Sequence, residues 1–226
     1  MFLKRSFKKE IMDDHLITDE KIDGVLKELK TINVFLGGNR TTKIALGYFN
    51  FSNYKKVKIA DVGGGGSDNF NFLENNFIIY NIDLNKQACK YSNNKKNIFP
   101  VCSDAKKISL KNKSVNISNA SLFFHHFTEK EAINILNNLD LITTDGIIIN
   151  DLRRNIIALI SIKLLTFVFS KSKIVKNDAP LSVHKGFTKS ELKELLSKSG
   201  YNNYIIKRKW AFRWMVLINL NNEKRF

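Results

Sequence analysis

Ile59-Ala60-Asp61-Val62-Gly63-Gly64-Gly65-Gly66-Ser67-Asp68 is the stretch on which the reading of this chain turns. The apolar run Val57–Val62 ends in four glycines, and the pattern predicts a strand, a tight turn and the opening of a helix. Glycine lets the backbone turn sharply and lets a ligand approach it closely. A helix N-terminus offers free N–H groups, and an open α/β sheet places its ligand at this end of the strand. Two familiar glycine motifs do not fit. A dinucleotide fingerprint needs a third small residue, but counting from Gly63 that position is Asp68, and from Gly64 it is Asn69. A phosphate-binding loop needs Gly-Lys-Ser/Thr, which is absent.

Outward from the loop, short apolar runs recur at Phe77–Ile82, Ile98–Cys102, Val115–Phe123 and Gly146–Asn150. Helical patterns lie between most of them. Thr128-Glu-Lys-Glu131 reads as a capping box ahead of Ala132, Leu136 and Leu139. Thr188-Lys-Ser-Glu191 repeats it before Leu192, Leu195 and Leu196, and Gly200 closes that helix. Strands alternating with helices predict a parallel sheet covered on both faces. Tyr204–Ile206 and Phe212–Leu220 predict a terminal antiparallel hairpin, so the expected fold is α/β, Rossmann-like, with seven mostly parallel strands. The first fifty residues differ: Ile22, Val25, Leu26, Leu29, Ile32 and Leu36 recur at helical spacing over about 19–36, and Gly37-Gly38 stops the helix. A second short helix is expected around Thr41–Phe49. Residues 1–50 are thus a helical cap on a core spanning 55–226, one domain in all.

The chain has 226 residues, 37 Lys+Arg against 21 Asp+Glu, and a net charge of +16. With 11 Gly, 2 Pro and 17 Phe it is neither collagen-like nor mainly disordered, and 2 Cys cannot staple a fold of this size. Cys89 and Cys102 are expected to be buried thiols in a reducing, cytoplasmic setting. The excess charge coincides with 27 Asn and abundant Lys and Ile, the signature of AT-rich codons, so it argues only weakly for a nucleic-acid partner. The basic N-terminus lacks the apolar stretch of a secretory signal. Ile156–Ser170 is apolar almost all round, but fifteen helical residues span roughly 22 Å against a bilayer core of about 30 Å. A buried helix is expected, or an interfacial one in peripheral contact with a membrane, given the flanking Arg153-Arg154 and Lys171-Ser-Lys173.

Asp61-x-Gly63-x-Gly65 resembles the first motif of class I methyltransferases that use S-adenosylmethionine. Asp83 ends the second strand twenty residues past Gly63, where a carboxylate can accept both hydroxyls of a ribose; the structural alternative is a cap for the helix starting near Leu84. Further short motifs are Glu10-Ile-Met-Asp-Asp14, Ile32-Asn33, Leu36-Gly-Gly38, Arg40-Thr41, His125-His-Phe127, Asn150-Asp-Leu-Arg-Arg154, Ala179-Pro-Leu-Ser-Val-His184, Phe187-Thr-x-x-Glu-Leu192 and Trp210-x-Phe-Arg213. Together they resemble a bacterial methyltransferase-domain family of about this length, often met beside polyketide or lipid-type biosynthesis and similar in its core to quinone-biosynthesis methyltransferases. Ser67 stands where that superfamily has its last loop glycine.

The resemblance implies S-adenosylmethionine as cofactor, held by Asp61, Gly63, Gly64, Gly65, Asp83, Leu84, Asp104 and Ala105. It implies a small phenolic, quinone-like or polyketide-derived acceptor, methylated at oxygen or carbon. His125 or His126, at the end of the fourth strand, is the candidate general base, with at most one of the two facing the methyl group. Asp151 is placed to orient a histidine or a substrate hydroxyl. Arg153 could bind an acidic group, and His184, in a loop, could close over the acceptor. Adjacent histidines without a nearby Cys or carboxylate at ligand spacing predict no metal. Phe167 and Phe169 are read as core or as walls of the acceptor pocket. The other readings are an RNA methyltransferase, supported by charge and the basic tail, and a non-catalytic methyltransferase-like partner.

Overall fold

The structure is a computed structural model that describes residues 4–13, 24–25, 28, 31–70, 72–73 and 75–221. Seven strands form one sheet: β1 (Val57–Val62), β2 (Phe77–Asp83), β3 (Ile98–Cys102), β4 (Val115–Ser121), β5 (Thr143–Leu152), β6 (Tyr204–Lys209) and β7 (Arg213–Asn219). Their order is β3-β2-β1-β4-β5-β7-β6, with β7 antiparallel to both neighbours and the remaining pairs parallel. The expected Rossmann-like sheet and terminal hairpin are both present. All five parallel strands end at one edge, and the crossover reverses beside β1, so the cleft lies outside β1 and β4.

Alternation along the strands builds two cores. Ala60, Val62, Ile147, Ile149, Val216 and Ile218 face one side and pack on α3 (Glu129–Ile142) and α6 (Lys189–Lys198). Val57, Ile59, Ile148, Met215 and Leu217 face the other and pack with Ala45 and Leu46 of α1 (Gly38–Leu46). Both capping boxes form as expected, with Thr128 accepting from Glu131 N and Thr188 from Glu191 N. The remaining helices are α2 (Lys86–Asn93), α4 (Ile156–Phe169) and α5 (Lys173–Lys185).

The N-terminal helix is seen in part: residues 24–25, 28 and 31–35 are helical, and the rest of 19–36 lies outside the described residues. Gly37 stops it at φ +72°, where a side chain would be strained, and α1 then begins three residues before the expected Thr41. Three further expectations are corrected. The glycine loop does not open an α-helix; the described residues after it make one 3₁₀ turn, Asp68–Phe70, because this Asn-rich stretch has weak helix propensity. Residues 173–185 are helical despite Pro180, so His184 sits in α5 and not in a loop. Cys89 is buried, but Cys102, on the edge strand β3, is exposed.

Candidate active site

At the end of β1, Gly63 and Gly65 both take left-handed φ, +63° and +56°. A Cβ on Gly63 would collide with the Phe123 ring, whereas on Gly65 it would meet nothing within 4 Å. One side of the loop is therefore pressed against the turn that follows β4 and the other is open. The loop is braced from behind. Asn81 Nδ2 donates to Gly65 O (2.6 Å) and to Ser92 Oγ (2.9 Å), and Lys95 Nζ donates to Gly66 O (2.6 Å).

Asp61 is fully buried. Its two oxygens accept from Asn119 Nδ2 and Ser67 Oγ, each at 2.8 Å, and burial pushes its pKa up to about 6 despite those bonds. Ser67, in the place of the last glycine, adopts φ +50° and is held there by this bond. Gly64 packs on the Asp61 carboxylate. Asp83 is half-buried: Oδ2 accepts from Gly65 N (3.0 Å) and Oδ1 from Asn85 N (2.8 Å). The cap of α2 is Asn85, not Asp83. A carboxylate has about four acceptor sites, so it can serve a ribose diol as well as backbone N–H groups. Leu84 is 52% exposed beside it. Asp104 folds back to accept from Lys106 N, and Ala105 is buried in the core. A glycine loop open at Gly65 and flanked by the Asp83 carboxylate fits a ribose-bearing cofactor.

The histidine pair lies in a 3₁₀ turn, Phe124–His126, so it does not splay as adjacent strand residues would. The two rings lie against each other, centroids 4.2 Å apart. His125 is buried: Nδ1 lies 2.6 Å from Asp151 Oδ1, and its backbone N donates to Asp151 Oδ2 (3.1 Å). Burial raises the Asp151 pKa, but the His125 imidazole and the hydrogen bonds to the carboxylate outweigh it and hold the group below its ordinary value. Beside an ionised Asp151, a neutral imidazole carries its proton on Nδ1 and turns Nε2 outward as an acceptor. That Nε2 is buried without a hydrogen-bond partner among the described residues. Facing it at 3.9 Å is Glu10 Oε1, which also lies 3.2 Å from Lys185 Nζ. Burial pushes the Glu10 carboxyl up from its ordinary pKa.

Glu10, His125 and His126 bring ligand atoms within 4.8 Å of one another, a nearness that spacing along the chain did not suggest. Lys185 Nζ, 3.4 Å from His126 Nδ1, already supplies a positive charge there, so the group is an ion-paired cluster.

The sequence reading missed this N-terminal cover. Arg5 donates to Lys185 O, His125 O and Phe127 O and stacks 4.1 Å from the Phe187 ring centroid. Ile11 N and Met12 N donate to the Asp178 carboxylate in α5. The Glu10-Ile-Met motif pointed to this segment, but nothing local says where it docks. A second polar group gathers several of the short motifs. Buried Arg213 donates to Asn33 Oδ1 (2.6 Å), Leu36 O (3.2 Å) and Asn150 Oδ1 (3.3 Å), and Asn150 Nδ2 donates to Gly38 O (3.0 Å). Burial lowers the Arg213 pKa to about 10.

Arg153 lies over the Phe212 ring at 5.6 Å, while Arg154 is turned inward to Glu191 Oε1 (2.7 Å) and Gly186 O (2.8 Å). His184 is half-buried on α5. Phe167 and Phe169, expected to line a pocket or the core, do neither: they are 75% and 79% exposed, because the face carrying Ala158, Ile162 and Thr166 is the one packed inward.

The comparisons agree with this geometry. A family model described as a methyltransferase domain matches residues 60–143. Nothing among curated proteins matches. Among solved structures, the plantazolicin methyltransferase in complex with a pentazolic desmethyl analogue and S-adenosylhomocysteine superposes at TM-score 0.67, 18% identical, covering 89% of this chain and 90% of that one. An S-adenosylmethionine-dependent methyltransferase from Aquifex aeolicus superposes at 0.63, 16% identical, covering 86% and 98%. Magnesium protoporphyrin IX methyltransferase from Synechocystis PCC 6803 superposes at 0.55, 9% identical, covering 81% and 83%. The sheet is that of the S-adenosylmethionine-dependent methyltransferases. The chain thus carries a methyltransferase domain, in a fold shared with a solved methyltransferase that holds S-adenosylhomocysteine.

Proposed function

We propose that the chain, acting as one domain, methylates a small acceptor at oxygen or carbon, the acceptor being phenolic, quinone-like or polyketide-derived. Asp83 and the open face of Gly63–Gly65 hold the ribose and methionine parts of the cofactor, with Asp61 and Gly64 shaping the loop from behind and Leu84, Asp104 and Ala105 flanking the adenosine. When bound, S-adenosylmethionine supplies a methyl group on a sulfonium sulfur. The chain's part is placement, exclusion of water and removal of one proton.

The observation that carries the reading is the His125–Asp151 pair, 2.6 Å apart, with Nε2 buried and without a hydrogen-bond partner among the described residues. Asp151 holds the ring and stabilises the imidazolium that forms when Nε2 takes the proton of a hydroxyl or an acidic C–H. His126, stacked on His125 and lying 3.4 Å from Lys185 Nζ, itself ion-paired with Glu10, keeps that ring in place. The acceptor reaches Nε2 when Glu10 moves aside, since it stands 3.9 Å away. Arg153 and His184 border the approach. The structural neighbours include enzymes named for plantazolicin and for magnesium protoporphyrin IX, which supports a small-molecule substrate.

The test is transfer of labelled methyl to a panel of phenolic and polyketide-like acceptors. His125→Ala should lower turnover by about 10²–10⁴-fold while S-adenosylhomocysteine binding, read by calorimetry, is retained. Undiminished turnover in His125→Ala would remove the base. Transfer to RNA alone, weakening steeply with salt, would replace the acceptor class.

A further inference from the structure

The outward face of α4 is the least explained surface of the molecule. Ile156, Ile157, Ile160, Leu164, Phe167, Val168 and Phe169 are between 51% and 79% exposed. Inward go Ala158, Ile162 and Thr166, with Leu159 and Leu165 partly buried beside them. Large apolar residues thus occupy both faces, whereas a helix in a globular protein normally gives its outer face to polar residues. A contiguous apolar stripe of this kind marks an interaction surface. No helix among the described residues is long and apolar enough to cross a membrane, so α4 cannot be a span.

The charge around the stripe selects the partner. Lys163, Lys171, Lys173 and Lys176 are all exposed and Arg153 is half-exposed, and no acidic residue occurs between Leu152 and Asn177; the Glu28 carboxylate at the end of α4 is taken up by Ser170 Oγ (2.6 Å) and Lys171 N (3.3 Å). Lys176 Nζ lies 5.8 Å from the Phe167 ring centroid, so cation and aromatic ring share one patch. A second copy of this chain would bring like charges together across the same stripe. A convex helix bearing Phe, Leu and Ile among lysines matches acyl chains lying beneath anionic headgroups. From this we infer that α4 is an interfacial anchor that lays the protein on an anionic lipid surface with its apolar stripe among the acyl chains. The inference is independent of which acceptor is methylated.

The test is co-sedimentation of the full chain with vesicles of phosphatidylcholine alone and of phosphatidylcholine with phosphatidylglycerol. Binding should be about tenfold or more tighter to the anionic vesicles and should weaken with salt. Phe167→Asp with Phe169→Asp, at positions that contribute nothing to the core, should reduce binding at least about tenfold and leave the melting temperature and S-adenosylhomocysteine binding unchanged. Lys171→Glu with Lys173→Glu should erase the preference for anionic lipid. No binding to either vesicle, or equal binding by the Phe variant, would overturn the assignment. So would concentration-dependent self-association, read by ultracentrifugation, that the Phe variant abolishes, since that would give the stripe to a second copy.

Discussion

At the scale of single residues, the site depends on carboxylates in unlike surroundings. Asp61 is wholly buried and loses hydration that two hydrogen bonds do not replace, so its proton is held to about pH 6 in the native state against 3.8 as its ordinary value. Because the native state binds this proton more tightly than the unfolded chain, the Asp61 contribution to stability falls as pH rises from about 4 to about 6. Asp61→Asn should abolish that component. Thermal melts of wild type and variant at pH 4 and pH 7 should show the variant gaining relative stability at the higher pH; a constant difference between the two would count against it.

Asp83 is half-buried and engaged by two backbone N–H groups, so its role is tested by binding. Asp83→Ala should weaken S-adenosylhomocysteine affinity by about 10–100-fold by calorimetry, equivalent to about 1.4–2.7 kcal/mol, because it loses the acceptor for a diol and frees Gly65 together. The sequence showed Asp61, the glycines and Asp83 as a set. It could not show that Asp61 turns away from the open side of the loop, since that orientation depends on Asn119, fifty-eight residues on.

At the scale of elements, a local device and a distant partner meet in α6. Glu191 Oε2 accepts from Thr188 N (2.7 Å) in the capping box, while Oε1 accepts from buried Arg154 (2.7 Å). Thr188→Ala removes one cap bond and should cost about 1 kcal/mol. Glu191→Ala also strands a buried guanidinium and should cost roughly 3 kcal/mol or more. Urea denaturation would separate the two, and equal losses would deny the Arg154 contact its role. The capping boxes, strands and hairpin were all legible because their signals are local. α5 was not, because Asn177-Asp-Ala-Pro180 reads as a turn. What makes it a helix is burial of Val175 and Val183 and the use of the Asp178 carboxylate by the N-terminal segment.

At the scale of the whole molecule, the N-terminal segment closes over the histidine pair from outside the sheet. Arg5 ties it to the turn after β4 and to the end of α5 through three carbonyls, and burial lowers its pKa. Arg5→Ala should lower stability by about 2–3 kcal/mol and loosen Glu10 over His125. The readout is a lower melting temperature together with faster amide exchange at His125 and Phe127; unchanged exchange there would mean the segment is held by Asp178 alone.

Taken alone, the amino-acid sequence determined the parallel sheet, its terminal hairpin, the glycine loop and the presence of a histidine pair at a strand end. Hydrophobic period, caps and glycine conformations are properties of neighbours in the chain. Tertiary structure decided the rest: which histidine meets Asp151, that Glu10 and Lys185 join them, that Arg213 gathers Asn33 and Asn150, and that the apolar helix faces outward. These depend on where distant segments dock, and docking is set by the burial of whole faces and the pairing of buried polar groups, which no local pattern encodes.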